Sequence, residues 1–230
     1  MTVWCDNLQT LGGASFTGTS ITRVEKLGEI TTTDTYDYKG PFANCTSLQY
    51  VNFPATLTSI GDACFDNCSS LSTVEAPWSN ITSIGDNAFS MCYSLKFTEP
   101  LYLPKLTTSG EYAFAIGRDG VGGIEGIYAP KLSVTADTFK GRYNTTLNKE
   151  QVVKITGVLY LKVPEGATSW SIPANAFKRC HANVIIFDGG DNNIVPSISS
   201  GTDGTFKETN LVGTDGNYGQ IGAIYVADKT

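Results

Sequence analysis

Phenylalanine returns along this chain at positions 16, 42, 65, 89, 114, 139, 177 and 206, with spacings of 26, 23, 24, 25, 25, 38 and 29 residues. A period of this length constrains the fold more than any bulk property. Each unit is one supersecondary element that cannot bury its apolar face alone, so neighbours must stack into a continuous core. The register implies about eight units of some 23 to 26 residues, with larger insertions late in the chain. Two adjacent stretches show the unit directly. SLQYVNFPATLTSIGDACFDNC from Ser47 and SLSTVEAPWSNITSIGDNAFSMC from Ser70 agree at Ser-Leu, Val, Pro, T-S-I-G-D, Phe and the final Cys.

The first part of each unit reads L-x-x-h-x-h-P, where h is apolar. Copies are LQYVNFP (48–54), LSTVEAP (71–77), TEPLYLP (98–104), IEGIYAP (124–130) and VLYLKVP (158–164). ANVIIFD (182–188) and IGAIYVA (221–227) keep the spacing without Pro. Apolar residues two apart predict a short strand with one buried face. Pro cannot donate to a ladder and ends it. The second part reads h-x-x-I-G-D-x-A-F-x-x-C, best in LTSIGDACFDNC (57–68) and ITSIGDNAFSMC (81–92), with copies in LQTLGGASF (8–16) and SIPANAFKRC (171–180). Gly here predicts a tight bend with positive φ, Asp a cap or turn, and A-F-x-x-C a tight or single helical turn that drives Phe and Cys inward together.

Three segments depart from the pattern. KGRYNTTLNKEQVVKITG (140–157) predicts a short helix or an extra hairpin. The Gly-, Asn- and Asp-rich run 188–204 predicts a long loop. ITTTDTYDYKG (30–40) also breaks the motif, and 205–230 reads as a divergent terminal unit.

The chain has 230 residues, is 41% hydrophobic and carries a net charge of −6, which disfavours nucleic acid and anionic membranes as partners. No apolar run is long enough to span a bilayer. MTVWCDNLQTL lacks the basic and apolar regions of a signal peptide, so either export uses another route or a targeting segment lies outside this chain.

Six cysteines and one histidine bound the chemistry. Cys64 and Cys68 look like a reactive pair, but the register separates them. Cys45, Cys68, Cys92 and Cys180 each follow a repeat Phe by three residues, and Cys64 stands where other units have Ala88, Ala113 and Ala176. These read as buried, reduced thiols packed as small hydrophobes. A column spaced one repeat apart does not converge on a metal, although a disulfide between Cys68 and Cys92 is geometrically conceivable. Cys5 lies outside the column. His181 reads as a turn-surface residue without a catalytic partner. The TDG copies at 202–204 and 214–216, with Asp188, Asp191 and Asn192, lack the regular oxygen spacing of a calcium loop. No metal, cofactor or catalytic residue is predicted.

The candidate site is instead a face. In the strand motif the third and fifth positions point away from the core. They place Tyr50, Tyr102, Tyr128, Tyr160 and Tyr225 on one sheet face, with Glu75, Glu99 and Glu125 at its rim. Tyrosine offers a large rigid contact area with a polar tip, which suits recognition, though its high β propensity explains a solvated sheet equally well. Tyr50, Glu75, Tyr102, Tyr128, Tyr160 and Tyr225 are therefore the candidate partner-binding residues.

The two-part motif resembles the BspA-like leucine-rich repeat family, whose pattern runs roughly L-x-x-I-x-I-P-x-x-V-x-x-I-G-x-x-A-F-x-x-C. The likeness is most specific over 45–104, extends over 8–44 and 105–180, and fades after 188. The expected fold is a single leucine-rich-repeat solenoid over 1–230, β-rich with short helical or 3-10 turns, and right-handed by the rule for parallel crossovers. The resemblance implies a non-enzymatic binding or adhesion module at a bacterial cell surface or outside the cell, meeting a protein or glycan; a monomer is the expected state, which the sequence does not fix. The alternative is a structural or receptor-binding segment of a phage tail or other appendage. A glycan hydrolase would need paired carboxylates across a cleft, and Glu75, Glu99 and Glu125 are the only aligned acidic set.

Overall fold

The computed structural model describes residues 1–25, 27–34, 37, 39–117, 122–144, 149–199, 209–210 and 219–227. Among them the chain is built of short strands with two 3-10 turns, Trp78–Asn80 and Gly190–Asn192. Strands pair largely in chain order because each unit lies beside the next; Thr209–Asn210, which pairs outside Gly219–Ala227, departs from it. Thr2–Trp4, Arg23–Glu25, Tyr50–Asn52 and Thr73–Glu75 form one parallel sheet. Leu101–Tyr102, Ile127–Ala129, Val153–Lys162, Cys180–Asp188 and Gly219–Ala227 continue the strand motif in a second parallel sheet. The I-G-D part forms its own ladder of Ser59–Ile60, Ser83–Ile84 and Thr108–Ser109.

The predicted strand boundaries follow from side-chain chemistry. Tyr50–Asn52, Thr73–Glu75, Leu101–Tyr102 and Ile127–Ala129 all stop before their prolines. Their fourth-position residues Val51, Val74, Leu101 and Ile127 are buried. The core is a set of columns. Rings of Phe16, Phe42, Phe65 and Phe89 stack at centroid distances of 5.5, 5.4 and 5.4 Å. Phe114, Phe139 and Phe177 continue at 6.2 and 5.5 Å. Each A-F-x-x-C segment is a tight turn closed by the Cys N–H donating to the Phe carbonyl, as in Cys68 to Phe65 and Cys92 to Phe89. The turns also bond to the next unit, Phe65 N–H to Ala88 and Asn67 N–H to Ser90.

The I-G-D motif works differently from its sequence reading. Positive φ falls not on the glycine but two residues later, on Ala63, Asn87 and Tyr112. The glycine is needed for close approach: a Cβ on Gly85 would sit 2.2 Å from Asp62 Oδ1 and 2.5 Å from Asp62 N. Gly110 meets Asp86 in the same way, at 2.2 and 2.4 Å. The aspartate, expected to cap or turn its own unit, accepts from the next one. Asp62 Oδ1 takes the Asp86 N–H at 2.9 Å, and Asp86 Oδ1 takes the Glu111 N–H at 2.7 Å. Gly and Asp together let successive turns touch.

The insertions resolve partly. Of 140–157, residues 145–148 lie outside the described set. Arg142–Asn144 and Lys149–Gln151 make the extra hairpin, antiparallel, and the rest extends the strand Val153–Lys162. The run 188–204 is not a plain loop through residue 199. It holds the turn Gly190–Asn192 and the strand Ser197–Ile198, which pairs in parallel with Ser171–Ile172. The TDG copies and Phe206 lie outside the described residues, as does much of 205–230. Segment 30–40, whose residues 35, 36 and 38 also lie outside, joins the I-G-D ladder through a bridge from Thr32 to Ser59. In the last strand Val226, expected in the core, is 42% exposed.

Candidate functional site

The column cysteines are packing groups with one added role. Cys45, Cys68 and Cys92 are fully buried, and each thiol donates to the carbonyl of the preceding unit's Phe: Cys45 to Phe16 at 2.9 Å, Cys68 to Phe42 at 3.0 Å and Cys92 to Phe65 at 3.1 Å. A thiol is thus a small hydrophobe that also satisfies a buried acceptor. All six cysteines are free, so the conceivable Cys68–Cys92 bridge is not formed. Burial pushes the Cys64 thiol up to about 12, against a lowering bond from Thr33. Burial also raises Cys68, Cys92 and Cys180. Such thiols are poor nucleophiles because the thiolate is the reactive form.

His181 is not on a turn. It lies in the strand Cys180–Asp188, half-buried, where burial first and nearby Lys154 second lower its pKa. The A-F-x-x-C turn ends at Cys180, where the strand already begins, so the histidine continues the strand. Among the described residues no group of three or more His, Cys, Asp or Glu side chains is placed to hold a metal ion. No helix among them is long and apolar enough to cross a membrane.

The tyrosine face divides in two. Tyr50 and Glu75 belong to the first sheet, not to the sheet of the other four tyrosines. The Tyr50 hydroxyl donates to Glu75 Oε2 at 2.8 Å, and the Arg23 guanidinium sits 4.0 Å from its ring centroid while pairing with Glu25. Burial and then Glu75 raise the Tyr50 pKa. These side chains satisfy one another.

The second group is a stacked row. Tyr128 pairs across to Tyr102 on one side and Tyr160 on the other. Centroid distances are 5.1 Å for Tyr102–Tyr128 and 4.7 Å for Tyr128–Tyr160, with interplanar angles of 18° and 17°. The next residues in register are Ile186 and then Tyr225. Tyr102 and Tyr225 are 56% and 58% exposed. Counting back from Pro164 put Tyr160 in the third position, opposite Gly126. The structure pairs it with Tyr128, two residues along. One extra residue between Ile155 and Val158 shifts the pairing, and Pro164 follows Tyr160 by four residues where Pro130 follows Tyr128 by two. A shift of two keeps the side chain on its face, and it aligns three tyrosines instead of alternating them.

One end of the row is anchored. The Tyr160 hydroxyl donates to Asp188 Oδ2, and Asp188 Oδ1 accepts the Gly190 N–H at 2.8 Å. Burial, then the hydrogen bond to Asp188, raise the Tyr160 pKa. By sequence Asp188 opens the run 188–204 that predicts a loop. The signal was present, since alternation puts it on the face of Ile186, but its burial depends on the fold of Gly189 and Gly190 around it. Of the acidic rim, Glu125 accepts from the Thr156 hydroxyl at 3.2 Å and Glu99 is exposed. Lys162, two residues beyond Tyr160 on the same face, opens into a groove shared with Pro130, Lys131, Glu165, Gly190 and Asp191.

Six copies of the BspA type leucine rich repeat region are matched over 38–116, the stretch that carries the stacked rings, the thiol column and the Gly–Asp ladder. Over residues 38–116 the chain is similar to BspA-type leucine-rich repeats. No curated protein matches the chain. Two solved structures are similar. A leucine-rich cell surface protein from Faecalibacterium prausnitzii A2-165 shares 19% identity over 81% of this chain and 53% of its own, with a TM-score of 0.36. A leucine-rich repeat protein from Bacteroides ovatus ATCC 8483 shares 15% over 88% of this chain and 59% of its own, with a TM-score of 0.34. The chain spans between half and three-fifths of the length of these proteins. The BspA-type signature falls where the I-G-D-x-A-F-x-x-C copies are most complete, and not on the stretches that diverge after residue 116.

Proposed function

We propose that this protein is a non-enzymatic recognition module that acts outside the cell, and that the row Tyr102, Tyr128, Tyr160 and Tyr225 is its partner-binding face. The observation that carries this reading is the stack itself. Three aromatic rings in consecutive strands are aligned and left at the surface instead of being covered by the core. Tyrosine is a frequent energetic anchor at interfaces because its ring is large and rigid. The BspA-type repeats support the assignment to a binding or adhesion class. In this reading the chain is one right-handed solenoid domain of about eight units across 1–230, monomeric in solution. Tyr50 and Glu75 bind each other and serve as a secondary patch on the neighbouring sheet. The test is an array of glycans and host surface proteins probed with wild type and with Tyr102→Ser/Tyr128→Ser. Binding that disappears in the variant while its unfolding midpoint holds supports the proposal. Equal binding by both proteins rejects it.

A further inference from the structure

Two features of the second sheet narrow the partner. The first is how the tyrosines present themselves. A ring or sugar inserted between two rings needs two van der Waals gaps, about 7–8 Å in all. The actual separations are 5.1 and 4.7 Å. The faces inside the row are therefore closed, and Ile186 flanks Tyr160 on its other side. The row turns ring edges to the partner. Edges suit the rings and apolar side chains of a protein, which meet them edge-to-face. Between the stacked rings no open face is left on which a sugar ring could lie flat.

The second feature is the groove at the end of the row. It encloses about 680 Å³. Tyr160 and Lys162 share one face of their strand with buried Leu161 between them, so the groove starts roughly 7 Å from the row, two residues along an extended chain. Lys131 and Lys162 both line it, and neither has a hydrogen-bond or ion-pair partner among the described residues. Lys140, by contrast, pairs with Glu111 and Asp137, and Lys105 donates to Asn80. The groove also carries Glu165 and Asp191. Two cations beside two acids fit a single carboxylate and oppose a polyanion.

We propose that the groove between Lys131 and Lys162 receives an aspartate or glutamate side chain of a protein partner. The partner's segment lies extended along the strands, with an aromatic or apolar side chain on the tyrosine row and the carboxylate two residues further on. This rests on the reading of the row as a binding face and assigns it a peptide rather than a glycan.

The experiment is selection of random displayed peptides on the wild-type protein. The expected result is enrichment of Asp or Glu two residues from an aromatic or apolar residue. The best peptide, made synthetically, should bind Lys131→Gln/Lys162→Gln at least about tenfold more weakly, as loss of a charge-assisted contact implies. Changing its acid to the amide should weaken binding equally. Absence of any enriched peptide, or equal binding to the lysine variant, overturns the proposal. So does tyrosine-dependent binding of an uncharged glycan in place of peptide. Tyr102→Ser/Tyr128→Ser is measured in parallel. Loss there with no change in the lysine variant removes the groove and keeps the tyrosine face. Loss only in the lysine variant keeps the groove and removes the tyrosine face.

Discussion

Phe65→Ala probes the ring column where it is most enclosed. Phe65 is fully buried, stacked on Phe42 at 5.4 Å and Phe89 at 5.4 Å, with Phe53 edge-on at 5.9 Å. Truncating a buried Phe costs about 3–5 kcal/mol through lost transfer energy and the cavity left behind. Three aromatic partners put this site at the upper end, since each ring pair adds roughly 0.5–1.5 kcal/mol. The expectation is thus a loss of about 4–5 kcal/mol. Phe16 is an internal control. It is half-buried, with the Phe42 ring stacked against it at 5.5 Å, so Phe16→Ala should cost about half as much. Urea unfolding followed by far-UV circular dichroism measures both. Repeats couple to their neighbours, so the Phe65 variant should also lose amide protection first around 42–89. A Phe65 loss below about 2 kcal/mol, or one equal to that of Phe16, would refute the idea that a continuous ring column supports the stack.

Gly85→Ala should destabilise by about 1–3 kcal/mol or more, because the new Cβ meets main-chain atoms, Asp62 N at 2.5 Å and Gly61 C at 2.7 Å, as well as the Asp62 carboxylate. Gly18→Ala, with open space but φ of +69°, should cost only about 1 kcal/mol; chemical denaturation of the two variants compares them. Burial raises the Cys64, Cys68, Cys92 and Cys180 thiols, so stability should be flat below the ordinary thiol value of 9.0 and fall as pH climbs towards 12, where the unfolded chain alone loses protons. Melting scans across that range test this, and a thiol reagent at neutral pH should label Cys64 and Cys68 only on unfolding. Asp188→Asn should bring the Tyr160 pKa down towards its ordinary value, visible in an ultraviolet phenolate titration. An unchanged titration would mean that burial alone sets it.

The periodic core was legible because packing fixes residue type at fixed intervals. Phe, Cys and the strand apolar positions could be named from spacing, and the structure buries them together. What spacing could not convey was contact between units. Gly85 reads as a bend residue in one dimension, and only the next turn lying against it shows that the missing Cβ matters. Asp62 likewise looks local until Asp86 donates to it. The tyrosine positions were legible as a face through alternation, but their grouping was not. Pro164 suggested one register and the irregularity at Ile155–Val158 imposed another, which is what brings Tyr160 beside Tyr128. Alternation puts Lys162 at an outward strand position but does not show its surroundings, because the groove forms from segments 107, 130–131, 162–167 and 189–194 that are distant in sequence.

The most direct measurement is residue-resolved hydroxyl-radical footprinting of the wild-type protein, alone and with the tightest ligand from the array. Alone, Tyr102 and Tyr225 should react readily while Phe42, Phe65 and Phe89 stay protected. With ligand bound, Tyr102 and Tyr128 should lose reactivity and exposed Trp4, on the other sheet, should keep it. Tyrosines that stay equally reactive under saturating ligand would contradict the account, because the partner would then be held elsewhere on the molecule.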